Sequence, residues 1–452
     1  MTLGRDLFRL SVPMVVGQLA FASMSFIDTV LMGQLGVEVL AGGGLAAVAF
    51  QFFYVVGTGV LVATANHIAF AKGQIDHADG QSSDIHRALL SGVVVVFLLT
   101  LLFGVIIWNI TPLLLALGQE PAVVDIAERY LHVLVWALLP ALFFILMRSL
   151  VLGVGRPQVI LPISMISAAL NYPISYALMT GQLGLPALGV EGVALGTCIV
   201  SVGMAVAIVL MSYRQTTFKP YPFWTGWHLF SFAQLAQTLR LGVPIALAYA
   251  MEIGMFSAAA LLIGLVGIEA LAAHQVALQC TTIAFMIPLG FSQAVSVKVG
   301  EFYGAGQFDN VKRTVKLSLM AVTATAVCSG SVFVLIPEPL TQLFLESEVS
   351  STEHLLPIAV SLLFVAALFQ MVDAYQVVLM GVLRGFRLGA SPTVAATVSY
   401  WVIGFPISYW LHETHGAVGV WAGMGIGLAC SALILATLYM RFSVTRLTVS
   451  AS

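Results

Sequence analysis

Apolar residues run along this chain in long unbroken stretches, without the strict alternation of strands or the one-sided stripe of surface helices. The stretches fall at 9–34, 43–71, 88–110, 128–153, 158–180, 190–213, 238–264, 271–299, 315–336, 355–382, 392–411 and 416–440. Each reaches the length of roughly 20 residues that spans a bilayer as a helix. The pattern predicts twelve transmembrane helices, with polar residues, Gly and Pro gathered between them.

Lys and Arg sort to one side of this arrangement. Arg5 and Arg9 precede the first helix. Lys72 and Arg87 lie between the second and third, Arg156 between the fourth and fifth, and Arg214, Lys219 and Arg240 between the sixth and seventh. Lys298, Lys312, Arg313 and Lys316 surround the next even-numbered loop, Arg384 and Arg387 the one after, and Arg441 and Arg446 follow the last helix. The opposite loops carry only Arg129, beside Glu128, while Arg148 sits near the inner end of the fourth helix. Positive charge stays on the cytoplasmic side, so both termini are expected there.

The chain repeats itself. The 38 residues from Arg9 align without gaps to those from Arg240, with twelve identities that include Pro13/Pro244, Gly36/Gly267 and Glu38/Glu269. YPISYAL from Tyr172 echoes FPISYWL from Phe405. Six helices per half is an even number, which predicts parallel repeats with a substrate site between them. The expected fold is an all-α polytopic membrane protein in two pseudo-symmetric six-helix lobes, residues 1–213 and 236–452, joined by a cytoplasmic linker at 214–235.

Composition agrees. Of 452 residues, 60% are hydrophobic and 8% charged, far below the quarter or so that is charged in soluble domains. A net charge of −2 points to no polyanionic partner, and no basic cluster suggests nucleic acid. The first apolar run is longer than a signal-peptide core of about 7–15 residues, so it reads as a retained helix. Cys198, Cys280, Cys328 and Cys430 are scattered singly in apolar segments and are expected to be buried thiols.

Three acids interrupt the apolar helices: Asp28, Glu252 and Asp373. A carboxylate at membrane depth costs about 3 kcal/mol or more, so it usually marks an ion or substrate path. The repeat supplies an internal control. Glu252 faces Phe21 across it, Asp28 faces Ala259, and Asp373 faces Ile145, so the acids are not part of the shared scaffold. At about 1.5 Å per residue, Glu252 lies about 18 Å from the inner end of its helix and Asp373 about 16 Å, while Asp28 is about 28 Å up in the other half. Glu252 and Asp373 are therefore expected to share one cation or proton near the midplane. No basic residue is evident at that depth, so the pair is stable when protonated or when holding a metal cation such as Na+. Asp28 is expected to join cation coupling and substrate binding.

Other polar groups sit near these acids in sequence. Asn171 interrupts helix 5, Thr197 and Cys198 helix 6, and Gln18, Thr29 and Gln34 share a helix with Asp28. Most such groups make interhelical hydrogen bonds; Asn171 is the candidate ligand. His274 and Gln275 read as outer-end contacts, with a proton relay as the sharper alternative. The segment Lys72–Arg87 mixes His and Asp at irregular spacing and reads as a solvated loop. Tyr249, Met251, Phe256, Phe285, Phe369 and Tyr375 are the aromatic and methionine candidates for a soft, ring-lined substrate cavity, in the company of Phe21, Phe26, Met255, Met286 and Met371.

FIDTVLMG, LGVPIALAYAMEIGMFS, LAAHQVALQCTTIAFMIPLGFSQAVSVKVG and FQMVDAYQVVLMGVLRG together resemble the multidrug and toxic compound extrusion family, in its NorM-type bacterial branch, over about residues 7–440. The resemblance implies two six-helix lobes in a V that export organic cations and other drugs in exchange for Na+ or H+. It implies that Asp28 is the N-lobe acid and that Glu252 and Asp373 are the C-lobe cation-site acids. Asn171 matches the first of two helix-5 asparagines, and the second is Ser175 here. Some relatives have Tyr where this chain has Phe369, so one hydroxyl ligand is missing and H+ stays open beside Na+.

The expected function is secondary active multidrug efflux by a monomer in the bacterial inner membrane. The alternative is a flippase or exporter of a lipid-linked or other endogenous metabolite, which would want a more basic cavity. No HExxH, Walker A loop or Ser/His/Asp constellation suggests an enzyme or a self-contained ATP-driven pump, and no cofactor beyond the coupling ion is expected.

Overall fold

The computed structural model describes residues 2–75, 82–184, 186–342 and 352–447. Part of the loop read as solvated, 76–81, falls outside the described residues, as does the side chain of Arg446. Fifteen α-helices follow one another: α1 (Thr2–Gln34), α2 (Val37–Ile75), α3 (Ser82–Trp108), α4 (Thr111–Ala116), α5 (Pro121–Leu134), α6 (Leu138–Gly153), α7 (Ile160–Thr180), α8 (Val190–Tyr213), α9 (Phe232–Val266), α10 (Ile268–Gly304), α11 (Phe308–Leu335), α12 (Pro337–Gln342), α13 (Thr352–Gly385), α14 (Ala390–Thr397) and α15 (Phe405–Leu447). Lipid satisfies no backbone polar group, so a spanning segment keeps its hydrogen bonds within itself. Proline opens α5 and α12, where the missing N–H is no loss.

Among the described residues, eleven stretches are long and apolar enough to cross a membrane. Ten coincide with the first ten expected spans. The eleventh, Ala390–Ser443, has 54 residues, whereas the hydrocarbon layer is crossed by roughly 20. Its helical backbone breaks at Gly416, with φ 55° and ψ −136°. Gly189, just before α8, has nearly the same backbone angles, φ 58° and ψ −130°. Only glycine adopts that region without strain.

Two compact units share the chain: Met1–Val15 with Leu247–Ser452, and Val16–Ala246. The division falls inside α1 and inside α9, just past Pro13 and Pro244. The start of α1 therefore packs in the C-terminal unit, where a Cβ on Gly290 of α10 would meet the backbone of Val15. The end of the other unit works in the same manner: a Cβ on Gly242 of α9 would meet the backbone of Val60 on α2.

Small residues let these helices touch. Lipid tails are as apolar as leucine, so association rests on close packing. In the C-terminal unit, Gly381 and Gly385 of α13 lie against the Ser292 and Ser296 carbonyls of α10, and Ser292 Oγ donates to the Val377 carbonyl at 2.6 Å. The repeat reappears in these contacts. In the N-terminal unit Gly192 abuts Leu178 and Gly196 abuts Ser175; in the other, Gly419 abuts Leu411 and Gly423 abuts Ser408. The thiols are free, but only Cys198 and Cys280 are buried; Cys328 is exposed and Cys430 half-buried, because a lipid-facing apolar helix surface accepts a thiol as readily as a core does.

A side chain at Gly423 would sit 2.4 Å from the Ser408 backbone nitrogen, whereas one at Gly44 would meet nothing within 4 Å. Gly423→Ala should destabilise the protein by about 1–3 kcal/mol through overpacking, while Gly44→Ala should be neutral or stabilising by up to about 1 kcal/mol. Thermal unfolding of the two variants in detergent, followed by tryptophan fluorescence, checks the contrast; equal melting temperatures would contradict it.

Candidate functional site

In the C-terminal unit, α9 carries Glu252 and α13 carries Asp373, close enough for Asp373 to feel the charge of Glu252. Asp373 is buried and Glu252 half-buried. The pair is not left with two uncompensated charges. Arg384, in the last turn of α13, is 4% exposed and acts electrostatically on Glu252. Its guanidinium donates to Tyr249 Oη at 2.9 Å and lies 4.7 Å from the centre of that ring. Tyr249 stands one helical turn before Glu252, so the contact aims the cation up α9. This corrects the expectation that no basic group is at hand. In the sequence Arg384 falls just past the tenth apolar run and reads, with Arg387, as a residue of the cytoplasmic loop.

A fourth group faces the pair. Tyr400 lies in a π-helical segment, Val398–Gly404, and is within electrostatic reach of Glu252, Asp373 and Arg384. Gln376 Nε2 donates to its hydroxyl at 2.7 Å. π-Helical turns often occur at functional positions. Among the described residues, no three His, Cys, Asp or Glu side chains gather as a metal-binding cluster. Two carboxylates with one guanidinium suit a proton or a monovalent ion better than a polyvalent metal.

Beside this cluster runs a row of rings. Phe256 meets Phe369 edge-on at 6.3 Å, Phe369 packs on Trp421 at 5.6 Å, and Trp421 Nε1 donates to His274 Nδ1 at 3.0 Å. His274 is fully buried, and accepting the indole proton on Nδ1 leaves Nε2 as the protonated nitrogen of the neutral ring. Gln275 is exposed. Met251 gives its backbone carbonyl to Trp401 Nε1. Phe285 and Tyr375 lie elsewhere. Phe285 packs on the core around Phe291, Val322 and Val378, and the Tyr375 hydroxyl bonds Thr323 Oγ1 at 2.6 Å.

The N-terminal unit holds Asp28 in a different setting. Thr197 Oγ1 on α8 donates to Asp28 Oδ2 at 2.7 Å. Asn171, fully buried on α7, acts on the same carboxylate, although neither of its amide atoms makes a hydrogen bond of normal geometry among the described residues. Asp28 Oδ1 and Ser175 Oγ are likewise buried without a hydrogen-bond partner there. Asp28 opens on a cavity of about 70 Å³ lined by Gln51, Tyr54, Tyr130, Phe144 and Met204. Phe21 and Tyr54 stack across it at 4.8 Å.

The candidate residues thus divide between the units: Asp28 and Asn171 in one, the other candidates in the other. Sequence reading passed over Tyr54, Gln51, Tyr130 and Tyr400, and ranked Thr197 below Asn171. Polar side chains inside apolar spans were the available signal, as they were for Asn171.

A bundle of bilayer-length apolar helices, with ionisable groups held inside each of two units, has the build of a membrane transporter. The MatE family model matches twice, at residues 13–177 and 244–410. The two matches start 231 residues apart, as do Arg9 and Arg240. The chain is 36% identical to the probable multidrug resistance protein NorM of Pseudomonas putida, covering 95% of this chain and 93% of that one. It is 37% identical to the probable NorM of Agrobacterium fabrum, covering 94% and 91%. The multidrug resistance protein NorM of Burkholderia vietnamiensis is 35% identical, with 95% and 92% covered. Among solved structures, a MATE protein in the bent conformation superposes with a TM-score of 0.87 at 19% identity, over 100% of this chain and 97% of that one. The eukaryotic MATE transporter AtDTX14 gives 0.86 at 19% identity, over 97% and 96%. The chain belongs to the MatE family and to its bacterial NorM type.

Removing Arg384 should leave Glu252 without its buried counter-charge. Arg384→Met alone should cost about 3–5 kcal/mol, and Glu252→Gln in the same chain should recover part of it, a coupling of about 1–3 kcal/mol. A double-mutant cycle on thermal or denaturant unfolding measures this; additivity within about 0.5 kcal/mol would show that the two groups do not interact.

Proposed function

We propose that this protein is a secondary active multidrug exporter of the bacterial inner membrane, in which inward-moving Na+ or H+ is exchanged for an outgoing small molecule. The observation that carries the reading is the Glu252, Asp373 and Arg384 cluster. With both carboxylates ionised, they and the one guanidinium carry a net single negative charge inside apolar helices. One proton or one monovalent cation neutralises it, and a cationic drug can compete for the same charge. Tyr400 and Gln376 orient the site, and the rings of Phe256 and Phe369 offer an apolar surface beside it. Asp28, with Thr197 and Asn171, is the corresponding acid in the other unit and faces a cavity lined by aromatic and methionine side chains.

The reading takes the break at Gly416 as the boundary between an eleventh and a twelfth span. That gives two six-helix lobes, both termini in the cytoplasm and a monomer as the working unit. Its support is the matched backbone at Gly189 and Gly416 and the glycine contacts that follow each. The buried Arg148 and Arg384 remove one argument against a lipid-linked substrate, namely that the helices hold no basic group. The relatives named as multidrug resistance proteins favour the drug reading.

Reconstituted vesicles loaded with an ethidium-like cation separate the coupling ions. An inward Na+ gradient or an inward H+ gradient, imposed singly, should drive export through the wild-type protein. Asp373→Asn and Glu252→Gln should each reduce the driven rate by about tenfold or more. Undiminished export by both variants would remove the cluster from the mechanism.

A further inference from the structure

The segment that joins α8 to α9, residues 214–231, is a strap packed on the N-terminal unit. Phe218 is fully buried. The Tyr213 hydroxyl, at the end of α8, donates to the Tyr221 carbonyl at 2.6 Å. Phe223 meets Phe143 of α6 edge-on at 5.0 Å, and Trp224 packs on Tyr213 at 4.7 Å. His86, buried near the start of α3, donates from Nε2 to the Pro222 carbonyl at 2.8 Å. Its ring lies so close that a Cβ on Gly226 would sit 2.4 Å from Cε1. The other side of the strap is apolar and open. Trp224 is 53% exposed, Trp227 45%, and Phe232, which opens α9, 79%. Phe230 bridges the last two, its ring centre 6.5 Å from Trp227 and 5.1 Å from Phe232. From Trp227 onward the rings therefore run continuously onto a membrane-spanning helix. Single exposed apolar residues are ordinary, but a group of them marks an interaction surface. The charge around this group has one sign. Arg214, Lys219 and Arg240 are exposed, and no Asp or Glu occurs between Glu191 and Glu252.

We propose that the strap is a membrane anchor, lying in the headgroup region of the leaflet on its own side. Trp224, Trp227 and Phe232 are set into the lipid, and Arg214, Lys219 and Arg240 meet anionic headgroups. Continuity supports a lipid partner, because a surface that ends on Phe232 joins the lipid-facing start of α9. The side chains fit as well. An indole has an apolar ring and a polar N–H, so tryptophan collects where hydrocarbon gives way to water. Basic residues beside a span are drawn to an anionic leaflet, and here no acid within the segment opposes that attraction. An anchor at this place fixes the depth at which α9 enters the bilayer, while His86 and Phe218 hold the strap to the helices behind it. The inference is independent of the export reading; it needs only that the chain spans a membrane.

The test uses the full-length protein in lipid nanodiscs, whose two faces are both open to a soluble quencher. The chain has seven tryptophans, and the emission lost in a Trp224→Phe, Trp227→Phe double variant is that of the strap. Phospholipid carrying a nitroxide near the headgroup end of its acyl chain should quench this difference emission at least about threefold more than aqueous iodide does. At equal content, nitroxide-labelled phosphatidylglycerol should quench it about twofold or more better than nitroxide-labelled phosphatidylcholine, and Arg214→Gln with Lys219→Gln should bring the two lipids level. Thermal unfolding confirms that each variant is folded. Should the double variant fail to fold, Trp224→Phe and Trp227→Phe made singly read one ring each. Quenching mainly by iodide would overturn the anchor. Protection from both quenchers would overturn it too, since a protein surface would then cover the rings. Equal quenching by the two lipids in the wild-type protein would overturn the choice of an anionic surface.

Discussion

Every ionisable side chain deep in this molecule has to find its counter-charge or its hydrogen bonds inside the protein, because lipid supplies neither. The C-terminal unit meets the demand with a guanidinium. Arg384 leaves the inner edge of α13, rests on Tyr249 and reaches Glu252, while Asp373 and Tyr400 complete the group. The N-terminal unit meets it with hydroxyl and amide groups around Asp28. Neither solution removes the negative charge altogether. In the proposed exchange, that remainder is the charge for which a proton, a sodium ion and a drug would compete.

Holding such groups in place depends on helices that approach closely without a hydrophobic drive between them. Gly381 and Gly385 let α13 ride on the α10 backbone, which sets Asp373 and Arg384 on one rigid element. Gly192 and Gly196 do the same for α8 against α7, which brings Thr197 to Asp28. The second pair has counterparts at Gly419 and Gly423 across the repeat, whereas the acids and Arg148 have none. One scaffold was doubled, and the two copies were fitted with different chemistry.

Much of this was legible in the chain. Helix positions follow from apolar runs that nothing soluble would carry, and the repeat from Arg9 and Arg240 is the one that the family model finds. The three acids stood out because lipid makes them costly. What stayed hidden depends on tertiary direction. Arg384 reads as a loop residue until α13 is seen to continue through it. Tyr54 and Tyr400 read as ordinary aromatic residues of apolar spans, and only packing shows that one borders Asp28's chamber and the other faces Glu252. Phe285 and Tyr375 fit a ring-lined cavity by composition, yet Phe285 on α10 packs into the core around Phe291, and Tyr375 on α13 bonds Thr323 of α11. Gly416 is one glycine among 41, and its backbone angles alone set it apart as a helix break.

The central claim is that one small cation and the substrate compete for the single charge left by Glu252, Asp373 and Arg384. The direct measurement is ion release on substrate binding, with purified protein in weakly buffered detergent solution. A pH indicator reports protons, and radioactive sodium reports Na+. The account predicts about one proton or one sodium ion released for each cationic substrate bound, and none from the Glu252→Gln, Asp373→Asn double variant. Substrate binding that releases neither ion from the wild-type protein would contradict it.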